Sequence, residues 1–173
     1  MTAARASASV TIRPFTDTDW PQIWPFFAEI VADGETYAFD PAWSSDESRG
    51  VWLGGPTSHV VVAVDGERVL GTATMGPNRP ARGAHVGTAS FMVSPDARGS
   101  GVGRLLGEYV IDWHRQEAFA AIQFNAVVET NTAAVALWQS LGFDIIGTVP
   151  GAFDSARHGR VGLHVMHLPL TTG

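Results

Sequence analysis

The sequence predicts a mixed α/β fold whose sheet is antiparallel in one part and parallel in another. Residues 59–64 and 68–75 are rich in β-branched side chains and flank an Asp65-Gly66 pair, which is the pattern of an antiparallel hairpin. Over residues 86–149 predicted strands alternate with predicted helices, an order typical of parallel pairing. A chain of 173 residues with 45% apolar side chains is large and apolar enough for a globular core.

The segment before the hairpin predicts one strand and two helices. A short strand is predicted over 10–13, where β-branched residues precede a proline. A helix is predicted over 18–32, because its apolar residues recur at steps of three and four. A second helix is predicted from the Ser-Ser-Asp-Glu cap at 44–47 to the glycine pair at 54–55.

The segment after the hairpin predicts the alternating part of the fold. The predicted elements are a strand over 86–93, a helix over 101–116, a strand over 122–128, a helix over 131–141, a strand over 143–149 and a closing strand over 162–168. We find neither an internal repeat nor a long linker. The sequence therefore predicts a flexible N-terminus over 1–9 and one domain over 10–170.

The composition excludes several kinds of chemistry. The chain has no Cys, and all 11 of its basic residues are Arg, so a thiolate nucleophile, a Cys-ligated zinc site, a Schiff-base lysine and a P-loop lysine are ruled out. The net charge is −6 and the arginines are scattered, which argues against a nucleic-acid partner. Neither a secretory signal nor an apolar run of membrane-spanning length is present, so we expect a cytoplasmic protein without a membrane partner.

The glycine-rich turn at residues 98–103, Arg-Gly-Ser-Gly-Val-Gly, is the most informative stretch. It joins a predicted strand to a helix, and the unpaired N–H groups and dipole of a helix N-terminus attract phosphate. Arg98 and Arg104 flank the turn and can add charge-assisted contacts. A tight structural turn is the alternative interpretation. The G-x-G-x-G spacing differs from the dinucleotide fingerprint, and a Walker loop needs the lysine that this chain lacks.

Two motifs resemble the GCN5-related N-acetyltransferases. Arg98-x-x-Gly101-x-Gly103 is similar to the R/Q-x-x-G-x-G/A signature of that family, and residues 131–143 resemble its later Asn-capped helix leading into a Leu-Gly-Phe strand start. The resemblance covers about residues 10–168. It implies a mixed, mostly antiparallel central sheet with parallel strands around the acetyl-CoA loop and about four helices. It also implies an acyltransferase that uses acetyl-CoA.

The resemblance implies which residues hold acetyl-CoA. The glycine turn would bind the pyrophosphate, and the strand before it would pair with the pantetheine arm. The implied cofactor-binding residues are Phe91, Met92, Val93, Arg98, Gly99, Ser100, Gly101, Val102, Gly103, Arg104, Asn131 and Trp138. No metal is expected, since His164 and His167 stand three apart on a predicted strand and would point to opposite faces.

The catalytic residues are implied less directly. A backbone N–H near Val93 would polarise the thioester carbonyl. Many members protonate the CoA sulfur with a Tyr where this chain has Trp138, whose indole cannot titrate; Trp138 either contacts the sulfur or packs in the core. Strand alternation places Asn125, Val127 and Glu129 on one face. Asn125 would hold the substrate nitrogen or be satisfied by neighbouring backbone, and Glu129 would relay a proton or be solvated.

The candidate residues for binding the acceptor substrate lie in the polar segment after the first predicted helix. Glu35, Thr36 and Tyr37 lie in a region that lines the acceptor site in many members of the family, so together with Asn125 they are candidate substrate contacts; a simple loop is the alternative. The Asn125-to-Asn131 spacing, followed by Trp138, resembles the fungal-type acetyltransferases of proline analogues such as azetidine-2-carboxylate. Those enzymes use an Asn of this strand near the substrate.

Two functions are compatible with these residues. The first is an N-acetyltransferase that moves an acetyl group to the amine of a small molecule by direct attack, without an acetyl-enzyme. The second is a catalytically silent module that binds acyl-CoA as a sensor or interaction domain, which the missing Tyr motivates. The acidic balance mildly favours cationic acceptors. A homodimer is compatible with the family resemblance, although no interface is evident in the sequence.

Overall fold

A computed structural model describes residues 9–170, which form a seven-stranded sheet with helices on both faces. The strands are β1 (Val10–Pro14), β2 (His59–Asp65), β3 (Arg68–Pro77), β4 (Val86–Val93), β5 (Ala121–Val128), β6 (Asp144–Ser155) and β7 (Gly159–Pro169). The α-helices are α1 (Trp20–Asp33), α2 (Ser45–Leu53), α3 (Val102–Gln116) and α4 (Thr132–Ser140). Most of the predicted flexible N-terminus, residues 1–9, lies outside the described residues.

The sheet is mostly antiparallel. Its strand order is β1-β2-β3-β4-β5-β7-β6, and β4–β5 is its parallel pair. The mixed, mostly antiparallel sheet with parallel strands around the glycine turn is thus confirmed, whereas the parallel pairing predicted from the alternation of elements does not extend to β6 and β7. β6 and β7 form a long hairpin, so β7 lies between β5 and β6 and is antiparallel to both. Both strands of this hairpin extend beyond the predicted ranges 143–149 and 162–168.

Local capping explains where α1 and α2 begin. The Ser44 hydroxyl accepts the Glu47 N–H at 3.2 Å and the Glu47 carboxylate accepts the Ser44 N–H at 2.7 Å, which is the predicted capping box. α1 begins two residues later than predicted, because one 3₁₀ turn precedes it. In that turn the buried Asp19 carboxylate binds the Arg13 guanidinium at 2.7 and 2.8 Å, and this pairing lowers the pKa of Asp19.

The core has one layer on each face of the sheet. On one face α3 and α4 pack on the sheet through residues such as Leu106, Val110 and Trp138. On the other face α1 and α2 pack through Phe27 and Trp52. The two layers hold β3 and β4 between them, so both faces of the middle of the sheet are covered.

β4 and β5 pair only at their beginnings. The parallel register contains the pairs Val86–Ala121 and Gly87–Ile122, and the two strands separate beyond them. A Cβ atom at Gly87 would collide with the ring of His114, which is fully buried on α3. α3 can therefore pack closely where the strands part. We call the space between the two strands beyond Gly87 and Ile122 the β4–β5 gap.

Candidate active site

The β4–β5 gap exposes one backbone edge of β4. The Ser94 N–H donates to the Leu70 carbonyl of β3 at 2.8 Å. Because hydrogen-bonding direction alternates along an antiparallel strand, Met92 also faces β3, whereas Phe91 and Val93 direct their backbone groups towards the gap. The predicted donor, the N–H of Val93, therefore lies on the open edge of β4.

The glycine turn lies at the end of this edge and leads into α3. Gly99 and Gly101 have φ angles of +76° and +88°, and no atom lies within 4 Å of where a Cβ would stand on either. Gly101 is the N-cap of α3, and no side chain caps the helix. The first N–H groups of α3 are thus without intrahelical partners beside open space. This arrangement fits a phosphate group, which carries the oxygens that such donors bind.

Other predicted cofactor-binding residues make contacts with the protein itself near the glycine turn. Arg104 donates to the Ser140 hydroxyl of α4 at 2.6 Å, while Arg98 is exposed. The Asn131 carboxamide accepts the Ala134 N–H at 3.3 Å and so caps α4, as the resemblance implied. Arg104 thereby connects α3 to α4 and Asn131 stabilises the start of α4, while a direct contact of either with cofactor stays a prediction.

Trp138 is buried in an aromatic cluster below the gap. Its ring centroid lies 4.5 Å from that of Phe91 and 5.0 Å from that of Phe124. These contacts match the core-packing interpretation. Because Phe91 is a residue of β4, Trp138 also lies next to the strand that borders the gap. A contact of Trp138 with the cofactor sulfur stays a prediction.

Asn125 lies in a β-bulge and is exposed. Its amide nitrogen donates to the Asn78 oxygen at 2.6 Å, and its own oxygen accepts the Gln123 amide at 2.9 Å. Its partners are therefore side chains rather than neighbouring backbone. The bulge also makes the predicted alternation wrong, since Val127 packs against the same core layer as Phe124.

Sequence reasoning missed Asn78 and Gln123. Gln123 lies two residues before Asn125 on β5, so strand alternation could have placed both on one face. Asn78 comes from the loop after β3, 47 residues away, and no sequence signal indicates its contact with Asn125. The three amides form a cluster at the side of the gap, and we call them the amide cluster.

Glu129 completes the β5–β7 ladder. Its carboxylate accepts the Gly162 N–H at 2.5 Å, and its own N–H donates to the Gly162 carbonyl at 3.0 Å. A Cβ at Gly162 would lie 2.9 Å from the Glu129 carboxylate, so a larger residue at 162 would displace that carboxylate. The carboxylate therefore has a structural partner, and its role as a proton relay stays a prediction.

The 34–37 loop is fastened to the turn between β6 and β7. The Glu35 carboxylate accepts the Ser155 hydroxyl at 2.6 Å and the Arg157 N–H at 2.8 Å. The Gly34 carbonyl accepts the Ala156 N–H at 3.1 Å, and the Arg157 guanidinium binds Asp33 at 2.7 Å. The Ser155 hydroxyl and, to a smaller extent, the Arg157 N–H lower the pKa of Glu35. We call these contacts the loop latch.

The same loop places Tyr37 on the open edge of β4. The phenol accepts the Phe91 N–H at 2.9 Å and donates to the Phe91 carbonyl at 2.5 Å. Its ring stacks on Phe39 at 5.1 Å and meets Trp52 edge-on at 6.2 Å. Burial raises the pKa of Tyr37 to about 12, so the phenol stays protonated at neutral pH. Beside it the Thr36 hydroxyl is buried and has no hydrogen-bond partner among the described residues.

Two further properties concern residues 9–170. Within this range no helix is both long and apolar enough to cross a membrane. Over the same residues no three His, Asp or Glu side chains gather closely enough to hold a metal ion.

The chain matches known proteins along most of its length. The model of the acetyltransferase (GNAT) family matches residues 20–143, which include β4, the glycine turn, α3, β5 and α4. The chain belongs to the GNAT family. The resemblance to this family is thereby confirmed, and so is the prediction of an acyltransferase.

Solved GNAT structures superpose closely on this one. A GCN5-related N-acetyltransferase from Kribbella flavida is 59% identical with a TM-score of 0.90, and the match covers 94% of this chain and 98% of that one. A GNAT phosphinothricin acetyltransferase from Sinorhizobium meliloti, solved in complex with acetyl-CoA, is 25% identical with a TM-score of 0.82, and the match covers 95% of this chain and 90% of that one.

A curated relative matches over a shorter stretch. The N-acetyltransferase aca1 of Schizosaccharomyces pombe is 33% identical over 84 residues, which are 49% of this chain and 40% of that protein. The chain spans less than half the length of the curated fungal relatives that it matches.

Proposed function

We propose that this GNAT protein is an acetyl-CoA-dependent N-acetyltransferase that acts on the amine of a small molecule. The observation that carries the proposal is the β4–β5 gap, whose open backbone edge leads directly to the uncapped N-terminus of α3. An extended amide-containing chain that ends in phosphates is the complement of such an edge and such a helix terminus. Acetyl-CoA combines both features.

The residues that would hold acetyl-CoA are those of the glycine turn and of β4. Backbone N–H groups of residues 99–103 would bind its phosphates, and Arg98 would add charge. Phe91, Met92 and Val93 form the strand beside which its arm would lie. When bound, acetyl-CoA supplies the activated acyl carbon and a thiolate that leaves readily, because a free thiol has a pKa near 8.5.

The chain's own groups would act chiefly by positioning. The N–H of Val93 is the proposed donor to the thioester carbonyl, as a fixed backbone dipole needs no reorganisation during the reaction. The amide cluster holds Asn125 in place at the side of the gap, where it would orient the amine. Glu129 is the proposed proton relay. No nucleophilic side chain is required, because the amine attacks directly.

The acceptor is proposed to be a small primary or secondary amine. Glu35, Thr36 and Tyr37 would border it together with Asn125. The partial match to aca1 loosely supports the resemblance to the fungal-type acetyltransferases of proline analogues. A cytoplasmic location, the lack of nucleic-acid and membrane partners and a homodimeric state stay predictions from the sequence.

A silent acyl-CoA-binding module is the second candidate, because Trp138 stands where many members carry the Tyr that protonates the CoA sulfur. Calorimetric titration with acetyl-CoA, followed by release of free CoA in the presence of amine pools, separates the two. The pools should contain amino acids, proline analogues and polyamines. Turnover supports the enzyme, whereas binding without turnover on every pool supports the silent module. Failure to bind acetyl-CoA would overturn both.

A further inference from the structure

We infer that Tyr37 determines which acyl chain lengths the site accepts, by closing the open edge of β4 at Phe91. The inference rests on the proposed function, because it assumes that acyl-CoA lies along β4 from the glycine turn inwards. It assigns to Tyr37 a role in selecting the acyl donor, in addition to its predicted position beside the acceptor.

The open edge of β4 has a defined length. Starting at the glycine turn and following β4 inwards, the first backbone groups that face the gap belong to Val93, and the next belong to Phe91. The Tyr37 phenol occupies both the N–H and the carbonyl of Phe91. The edge is therefore available at Val93 and closed two residues farther in.

Tyr37 is held firmly where it closes the edge. Its ring is stacked on Phe39 and packed edge-on against Trp52, whose side chain is only 1% exposed. The loop latch fixes the same loop through Glu35 and the turn between β6 and β7. Moving the phenol would require the loss of two hydrogen bonds to Phe91 and of the aromatic contacts.

The opposite face of β4 offers no other route. There the Phe91 ring packs at 4.5 Å against Trp138 and at 5.8 Å against Phe124. Phe124 and Trp138 belong to the core layer under α3 and α4. An acyl chain longer than acetyl would therefore extend from Val93 towards the Tyr37 ring, with core side chains on its other side.

The test measures the affinity for acyl-CoA thioesters of increasing length, which needs no knowledge of the acceptor. Acetyl-, butyryl- and hexanoyl-CoA are titrated into the wild type, Tyr37→Ala and Tyr37→Leu. We expect the wild type to prefer acetyl-CoA. In both variants the ratio of the butyryl-CoA to the acetyl-CoA association constant should rise about tenfold, which is the value of burying two further methylene groups.

Two control variants separate this role from a structural one. Tyr37→Phe keeps the ring, which fills the space, but frees the N–H and carbonyl of Phe91, so the acyl-length ratio should lie between those of the wild type and Tyr37→Ala. Tyr109→Ala removes the other tyrosine of the chain, which contacts His59 and lies on α3 away from the gap, and should leave the ratio unchanged.

The outcomes distinguish the inference from the function on which it rests. Folded Tyr37→Ala and Tyr37→Leu proteins that bind acetyl-CoA and keep the wild-type preference would overturn the role of Tyr37 alone. A wild type that binds none of the three thioesters would overturn the proposed function and the inference together. Equal shifts in the Tyr37→Ala and Tyr109→Ala proteins would also overturn the inference, because a general loosening of the fold would explain both.

Discussion

The glycine turn and the 34–37 loop border the same gap and are built in opposite ways. The glycine turn is open: no side chain caps α3, and a Cβ at Gly99 or Gly101 would meet no atom within 4 Å beyond its chain neighbours. The 34–37 loop is closed, because the Glu35 carboxylate and the Tyr37 phenol already have protein partners. The first region presents backbone donors, whereas in the second the Glu35 and Tyr37 side chains are bound by the protein itself and the buried Thr36 hydroxyl has no partner among the described residues.

The largest expected effect comes from placing a negative charge in the glycine turn. Gly101→Asp places a carboxylate beside the α3 N-terminus, where the proposed phosphates bind, and should weaken acetyl-CoA binding about 100-fold by calorimetry. Gly101→Ala is the matched control: at the φ of +88° any L-residue costs about 1–2 kcal/mol, but no charge is added. A folded Gly101→Asp protein with unchanged affinity would refute the position of the phosphates.

The next effect separates the acceptor side from the cofactor side. Asn125→Ala removes the centre of the amide cluster and should lower kcat/KM for the amine about 10- to 30-fold, the value of one lost hydrogen bond to a charged or reacting group. Acetyl-CoA affinity should change less than twofold. Asn78→Ala, which removes only a partner of Asn125, should have a smaller effect on kcat/KM. Equal losses in affinity and turnover for Asn125→Ala would assign it a purely structural role.

A third effect concerns the point where β4 and β5 part. Burial lowers the pKa of His114 beside Gly87, and the carbonyls of Val110 and Gly76 oppose this only partly. The neutral ring is favoured in the folded state, so its contribution to stability is complete above the unfolded pKa of about 6.5 and is lost as pH falls towards the lowered folded value. The free energy of unfolding should decrease by at most about 1.4 kcal/mol per pH unit in that window.

Urea unfolding between pH 7.5 and 5.5 measures this slope. The exposed His85 supplies a matched control for the substitution of a histidine by glutamine. His114→Gln should flatten it, because glutamine does not titrate. If His85→Gln flattened the slope as much as His114→Gln, the assignment to His114 would fail.

The smallest expected effect comes from loosening the 34–37 loop. Glu35→Gln weakens the loop latch by removing the charge that binds the Ser155 hydroxyl and the Arg157 N–H. Amide hydrogen exchange at residues 34–37 should become faster, with little change in Tm. Acid should lower the protection factors of the same amides in the wild type, after correction for the slower intrinsic exchange in acid, because the contribution of a carboxylate with a lowered pKa is lost as pH falls through that pKa. Glu67→Gln, in the exposed β2–β3 turn, should leave exchange at 34–37 unchanged.

The features that sequence predicted are the local ones. The capping box of α2, the hairpin of β2 and β3 and the glycine turn each depend on residues within a few positions of one another. Their conformations follow from glycine, cap and turn preferences, which a single segment carries. The family motif was recognisable for the same reason, since the turn binds through backbone groups whose geometry its glycines determine.

The features that sequence did not predict depend on distant segments. The bulge at Asn125 inverts the alternation of β5, and its amide partner Asn78 comes from another loop. The position of β7 between β5 and β6 depends on the hairpin rather than on a local pattern. In a sequence, polar residues such as Glu35 and Glu129 look like candidates for binding a ligand. Only the fold shows that their carboxylates already accept hydrogen bonds from a hydroxyl and a backbone N–H of the protein.

The loop latch joins two segments of the chain that are synthesised far apart in time. Glu35 and its partner Ser155 are 120 residues apart, and Ser155 lies in the last hairpin of the described chain. A ribosome completes α1, the glycine turn and α3 long before it releases this hairpin. The loop latch can therefore form only after β6 has been synthesised, whereas Tyr37 and its partner Phe91 are both present much earlier.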